Sequence, residues 1–249
     1  MSGHSKWSTI KRKKGKADAA RGKKFTRLIR EITVSARNGG GNPSANARLR
    51  HAVEEAKAIN MPAKNIENAI QRGTGELPGV TYTEMTFEGY GPCGVAIIVE
   101  IMTDNKNRTV PEIRNIFSKF NGNLGENGCV SWIFVSQGII MVDKAKIGED
   151  DLMAILLDAG MENMNTEEDG FEVIVSPVNF EKVKLILQEK KIPILSAEIT
   201  KIPQNTVKVT GSQAQQVLKF MEAVEDHDDV QNVYANFDIN EKELAQITS

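Results

Sequence analysis

Between residues 139 and 202 the apolar positions run in an order that few folds accept. A strand-like stretch at 139–142 is followed by helical spacing at Leu152, Ile155, Leu156 and Ala159. Two more strand-like stretches, 163–167 and 171–175, flank a turn at Asp169-Gly170. Helical spacing returns at Val183, Ile186 and Leu187, and a strand over 194–202 closes the run. The order β-α-β-β-α-β is the split βαβ, or ferredoxin-like, arrangement, in which each helix covers its apolar stripe with one sheet.

The flanking segments acquire meaning from that unit. Residues 95–102 (strand), 109–120 (helix) and 130–135 (strand) precede it; 207–209 (strand), 217–224 (helix) and 230–237 (strand) follow it. Joined across the unit, they spell the same six-element order. A further strand-like stretch lies at 81–88, and Thr109-Val-Pro-Glu112 has the form of a capping box. The economical reading is one ferredoxin-like unit, 137–202, inserted into another made of 80–136 and 203–240. The alternative is three consecutive α/β segments in one sheet.

Before residue 80 the period is helical throughout. Phe25, Leu28, Ile29, Ile32 and Ala36 form one apolar face, with Lys23, Arg27, Arg30 and Arg37 on the other, until Gly39-Gly40-Gly41. A second helix is expected to start with Asn42 as N-cap and Pro43 in its first position, with Leu49, Ala52, Val53 and Ala56 inward. A third opens at Pro62, buries Ile66 and Ile70, and ends at Gly73. Residues 73–80 are the linker. The expected class is α+β: an N-terminal three-helix domain over 1–79, followed by two ferredoxin-like βαββαβ domains, one inside the other.

Charge divides along the same boundary. Residues 1–80 hold 17 basic and 6 acidic side chains, a net of +11, and the remaining 14 basic and 27 acidic give −13, which together make the −2 of the whole chain. Residues 1–16 are polar, basic and unpatterned, and read as an arm that is mobile until bound. Arm and first helix carry Lys6, Lys11, Arg12, Lys13, Lys14, Lys16, Arg21, Lys23, Lys24, Arg27 and Arg30 against the single acid Asp18. Cations at this density neutralise phosphates and release counterions, and Trp7 could stack on a base. With Arg37, these are the candidate nucleic-acid-binding residues. The competing reading is a solvated cationic tail. Phe25 belongs to the apolar stripe and reads as core. Lys106 and Arg108, in the turn 104–109, are candidate contacts to phosphate or to a partner.

Other chemistry finds no support. Gly89-Tyr90-Gly91-Pro92-Cys93-Gly94 matches G-x-G-x-x-G, but a strand follows where a dinucleotide site needs a helix, so a turn is expected. His4, His51 and His227 have no metal spacing, and no nucleophile–base pair can be argued. Asp226, Asp228 and Asp229 beside His227 read as a solvated acidic turn. No catalytic residue, metal or cofactor is expected. Cys93 and Cys129 fit neither a disulfide framework nor a zinc site, and fit a reducing cytoplasm. No apolar run reaches the ~18 residues of a membrane span, and 1–7 lacks a signal-peptide core.

Several motifs together resemble the YebC/PmpR family of "probable transcriptional regulatory" proteins. They are Gly3-His-Ser-Lys-Trp7, the basic run to Phe25, Asn60-Met-Pro62, Arg72-Gly-Thr-Gly-Glu76, Glu88-Gly-Tyr-Gly-Pro92 and Thr103-Asp-Asn-Lys-Asn-Arg-Thr109. The family includes a mitochondrial translational activator of cytochrome oxidase. Cys93 and Asn121 stand where the family pattern usually has glycine. The resemblance implies a cytoplasmic, non-enzymatic regulator of gene expression, acting on transcription or at the ribosome. Its partner would be DNA, or ribosomal or transfer RNA, or the machinery that carries them. A rival function is a sensor holding a small molecule at the interface of the two ferredoxin-like domains.

Overall fold

The structure is a computed structural model that describes residues 17–167, 170–240, 243–244 and 247. The expected arm lies outside these residues, and with it Lys6, Trp7, Lys11, Arg12, Lys13, Lys14 and Lys16. The chain divides into two compact units. One is built from the described residues up to Ser131 and from Thr206 onward; the other spans Trp132–Asn205. It is a mixed α+β protein with N-terminal helices followed by antiparallel sheets.

The first unit begins with helices α1 (Ala17–Gly39), α2 (Ala47–Ala58) and α3 (Ala63–Thr74). Their core is Leu28, Ile32, Ala36, Leu49, Ala52, Val53, Ala56 and Ile66, with Phe25 packed at its edge. Two boundaries differ from expectation. The cap of α2 is Asn46, not Asn42: its Oδ1 accepts the Leu49 N–H at 3.1 Å, while its Nδ2 donates to the Ser35 and Gly40 carbonyls. One buried amide thus ties the end of α1 to the start of α2, and Asn42 only closes a turn by accepting from the Ser44 N–H. Gly73 lies inside α3, where a Cβ would sit 2.4 Å from the Thr33 carbonyl oxygen. It serves close helix approach, and Gly75, at φ +84°, is the left-handed terminator.

The same unit continues with strands β1 (Thr83–Tyr90) and β2 (Ala96–Thr103), helix α4 (Lys106–Lys119) and the short β3 (Asn123–Leu124). After the second unit come β8 (Val207–Lys208), helix α7 (Gly211–Glu225), β9 (Val230–Ala235) and β10 (Phe237–Asp238). The sheet order is β3-β1-β2-β9, antiparallel at every pair. Helices α4 and α7 bury Ile113, Phe117, Val217, Phe220 and Val224 against Val95, Ile97, Val99 and Ile101 of and before β2. Phe117 meets Phe220 edge-on, with ring centroids 5.0 Å apart.

This assembly corrects the expected strand assignment. The position between β2 and β3 is filled by the earlier strand β1. Residues 207–209 do not take it: β8 pairs in parallel with β10 in a separate two-stranded sheet. Residues 130–135 are not one strand either, because Ser131–Ile133 form a 3-10 turn and the strand that follows belongs to the other unit. The physical reason is Glu88. Its buried carboxylate accepts the N–H groups of Gly128, Val130 and Ser131 at 2.8–3.0 Å, which removes those donors from any ladder. The turn expected at 89–94 is present as a 3-10 turn, Pro92–Gly94, with Cys93 in the left-handed region at φ 61°.

The second unit contains β4 (Phe134–Val142), α5 (Glu149–Leu156), β5 (Met161–Thr166), β6 (Phe171–Val175), α6 (Phe180–Glu189) and β7 (Ile194–Pro203). Its order, β5-β6-β4-β7, is antiparallel throughout, which is the ferredoxin-like arrangement. Leu152, Leu156, Val183 and Leu187 cover Ile140, Val142, Val173 and Val175. Its two ends lie side by side, since the Gln204 N–H donates to the Ile133 carbonyl at 2.8 Å.

Candidate nucleic-acid interface

Helix α1 places Lys23, Arg27 and Arg30 on one face, about a turn apart. All three meet the end of α7 and the loop after it. Lys23 Nζ lies 2.9 Å from Asp226 Oδ1 and 3.2 Å from the Asp226 carbonyl oxygen. Arg27 donates to the Glu225 carbonyl at 2.6 Å. Arg30 donates to the Asp228 carbonyl at 2.6 Å and to the Met102 carbonyl at 3.2 Å, and pairs with Asp229 Oδ1 at 3.1 Å. The last carbonyls of a helix have no partner within it and form the negative end of its dipole, so cations are favoured there. Burial pushes the Arg27 guanidinium down, and the charges of Glu225 and Asp226 oppose that shift.

Asp229 is the centre of the arrangement. It is 1% exposed. Its Oδ2 accepts from Thr109 Oγ1 at 2.6 Å, Arg108 Nη2 at 2.8 Å and Thr103 Oγ1 at 3.0 Å. Burial alone would raise its pKa, but the hydrogen bonds of Thr109, Arg108 and Thr103 and the charge of Arg30 outweigh burial and hold it below the usual carboxylate range. The solvated acidic turn expected here is therefore wrong for Asp229, which is a buried anchor. His227 is drawn in as well: its Nδ1 accepts the Asp229 N–H at 3.1 Å and its Nε2 lies 3.0 Å from Glu112 Oε2. An open groove beside these groups is lined by Arg30, Asp104, Arg108, Glu112, Asp226 and His227.

The turn 104–109 is shaped by the same network. Helix α4 starts at Lys106, one turn before the expected capping box, with Asn105 as N-cap accepting the Arg108 N–H at 3.1 Å. Thr109 is not a cap because it lies inside the helix, where its hydroxyl is within hydrogen-bonding reach of Asp229 and of the Asn105 carbonyl. Arg108 also meets Asp104 at 3.0 Å. Lys106 is exposed.

The predicted cations thus separate into groups. Arg37 donates to the Tyr82 carbonyl at 2.7 Å and so also joins the helices to the chain entering the sheet. Beside it, Arg48 bridges Glu31 and Glu84, each at 2.6 Å, which raises its own pKa. Arg21 is exposed, lies over the Phe25 ring at 5.4 Å and reaches the Ile59 carbonyl at 3.4 Å. Lys24 is exposed. Sequence reading missed Asp229, Glu88 and Asn46. No local signal marks Asp229, because Thr103, Thr109 and Arg30 lie far away along the chain. Glu88 sits in a quoted motif, yet its partners are backbone amides that no side-chain pattern reveals.

An N-terminal helical bundle with an excess of basic residues, followed by antiparallel α/β sheets with an excess of acidic ones, defines a class of α+β proteins with charge divided along the chain. Comparison with known proteins narrows the class. Residues 5–76 match the TACO1/YebC protein N-terminal domain and residues 82–237 the TACO1/YebC second and third domain. The chain belongs to the TACO1/YebC family. A relative from Dictyoglomus turgidum, named "probable transcriptional regulatory protein", is 55% identical over 249 residues, covering 100% of both chains. One of the same name from Syntrophobacter fumaroxidans is 57% identical over 248 residues, 99% of this chain and 100% of the relative. A crystal structure of a conserved hypothetical protein from Aquifex aeolicus is 45% identical, with a TM-score of 0.80 over 90% of this chain and 93% of that one.

Proposed function

We propose that the protein regulates gene expression by binding the phosphate backbone of nucleic acid through its N-terminal segment, without catalysing a reaction. The observation that carries this reading is the placement of cations. Six of the eleven in residues 1–30 precede α1 with no carboxylate among them, while the face of α1 that follows already grips carboxylates and carbonyls. A phosphodiester offers the same kind of acceptor. The relatives' name, a transcriptional regulator, supports a role in gene expression. Either DNA, or ribosomal or transfer RNA, meets the chemistry, in the transcription or the translation machinery. A reducing cytoplasm suits Cys93 and Cys129, which form no disulfide. No helix among the described residues is long and apolar enough to cross a membrane.

Titration of the full chain with short duplex DNA and duplex RNA over a range of salt tests the reading. Engagement of about six phosphates makes log K fall with log salt at a slope near −5 on DNA. Replacing Lys11, Arg12, Lys13 and Lys14 together by Gln should remove most of that affinity and flatten the slope. Binding indifferent to salt and to this replacement removes the proposal.

A further inference from the structure

We infer that the end of α7 is a built-in competitor for the nucleic acid, and that phosphate binding draws Lys23 and Arg27 away from it while Arg30 stays anchored as a pivot. The inference rests on the proposed binding of nucleic acid by the N-terminal segment. Three contacts on one face of α1 are graded in depth. Lys23 and Asp226 are both well exposed, with side chains 45% and 57% accessible. Arg27 holds only a backbone carbonyl among its described hydrogen-bond partners, not a carboxylate. Arg30 is mostly covered and Asp229 is buried, with side chains 12% and 1% accessible, and Asp229 is held by Arg108 and two threonine hydroxyls as well.

The gradient decides which contacts yield. An exposed pair is weak and salt-screened, so a polyanion of high local charge displaces it readily. The Arg30–Asp229 pair is shielded from solvent and embedded in further hydrogen bonds, so opening it costs more than opening an exposed pair. The acceptors at the end of α7 are carbonyl and carboxylate oxygens, which stand in for phosphate oxygens on the same donors. A small pocket already opens beside them, lined by Lys23, Thr26, Arg27, Arg30, His227 and Asp228 among others. A phosphate entering there would meet Lys23 and Arg27 beside the anchored Arg30.

The test locks the contact. In a Cys93→Ser, Cys129→Ser background, Thr26→Cys and Asp228→Cys place one thiol on each wall of the pocket. The pair is either bridged by a short bis-maleimide or capped at each site by N-ethylmaleimide, so both forms carry the same charges. The capped form should bind duplex roughly tenfold more tightly than the bridged form at low salt, with a slope steeper by about 1.8, because Lys23 and Arg27 add two phosphates. Thermal unfolding of the bridged form at or above the midpoint of the capped form shows that its fold is intact. In the unsubstituted protein, amides 222–228 should exchange faster when duplex is added, while Asp229 stays protected. Equal affinity and slope in the two forms, or slower exchange at 222–228, overturns the inference and leaves the proposed function standing. Absence of any binding by the unsubstituted protein removes both.

Discussion

Asp229 shows how much one side chain can carry. Removing it leaves the mostly covered Arg30 without its carboxylate, and takes from Thr103, Thr109 and Arg108 the carboxylate oxygen they share. Asp229→Ala should cost about 3 kcal/mol, read as a lower midpoint in urea unfolding with unchanged slope. The pH dependence has a definite sign. The folded pKa is depressed, so the stabilisation is present above the unfolded value of roughly 3.9 and is lost as pH falls through the folded value. Stability of the Asp229→Asn protein should therefore decline less steeply below about pH 4 than that of the parent. Gly73 carries a simpler constraint. Its hydrogen faces the Thr33 carbonyl, so Gly73→Ala should cost about 1–3 kcal/mol by forcing α1 and α3 apart, measured in the same way. Neither role was legible in the sequence: Gly73 read as a terminator and Asp229 as solvated, because what each one touches is set by packing.

At the scale of elements, periodicity served well where a helix or strand buries one face. The stripe Leu28, Ile32 and Ala36 of α1, and Ile113 and Phe117 of α4, are buried as their spacing requires. It failed where backbone groups are satisfied by side chains. Residues 130–135 read as one apolar strand, yet Glu88 takes the donors of Val130 and Ser131 at its start. That carboxylate is also held below its usual range: burial opposes ionisation, and the three N–H groups outweigh it. Glu88→Ala should release the amides of Gly128, Val130 and Ser131, which then exchange faster by about tenfold or more, since an unsatisfied group costs about 1–3 kcal/mol. Unchanged protection there would mean that other contacts hold the segment.

For the molecule as a whole, the nested reading makes a covalent prediction. Strands β4 and β7 pair along their length, from Phe134 opposite Pro203 to Val142 opposite Ile194, and the crossing points adjoin at Ile133 and Gln204. Excising Trp132–Asn205 and joining Ser131 to Thr206 through a short Gly/Ser linker should leave a first unit that unfolds cooperatively, because its sheet β3-β1-β2-β9 and both helices remain. The excised unit, at the small end of independently stable domains, should fold with modest stability. Loss of cooperative unfolding in the first unit, followed by circular dichroism on heating, would mean that the two share stabilising contacts.

What the amino-acid order determined by itself was the set of helices, the six-element pattern of 139–202 and the division of charge at residue 80. These depend on spacing and composition within a few residues of each other. Tertiary structure decided which strand enters which sheet, because β1 and residues 207–209 carry equally plausible local patterns and only the register beside β2 separates them. It also decided what the cations of α1 do. A lysine or arginine on a helix face seeks whatever anion the fold brings near, and the fold brings the carbonyl end of α7 and the buried carboxylate of Asp229, about two hundred residues further along the chain.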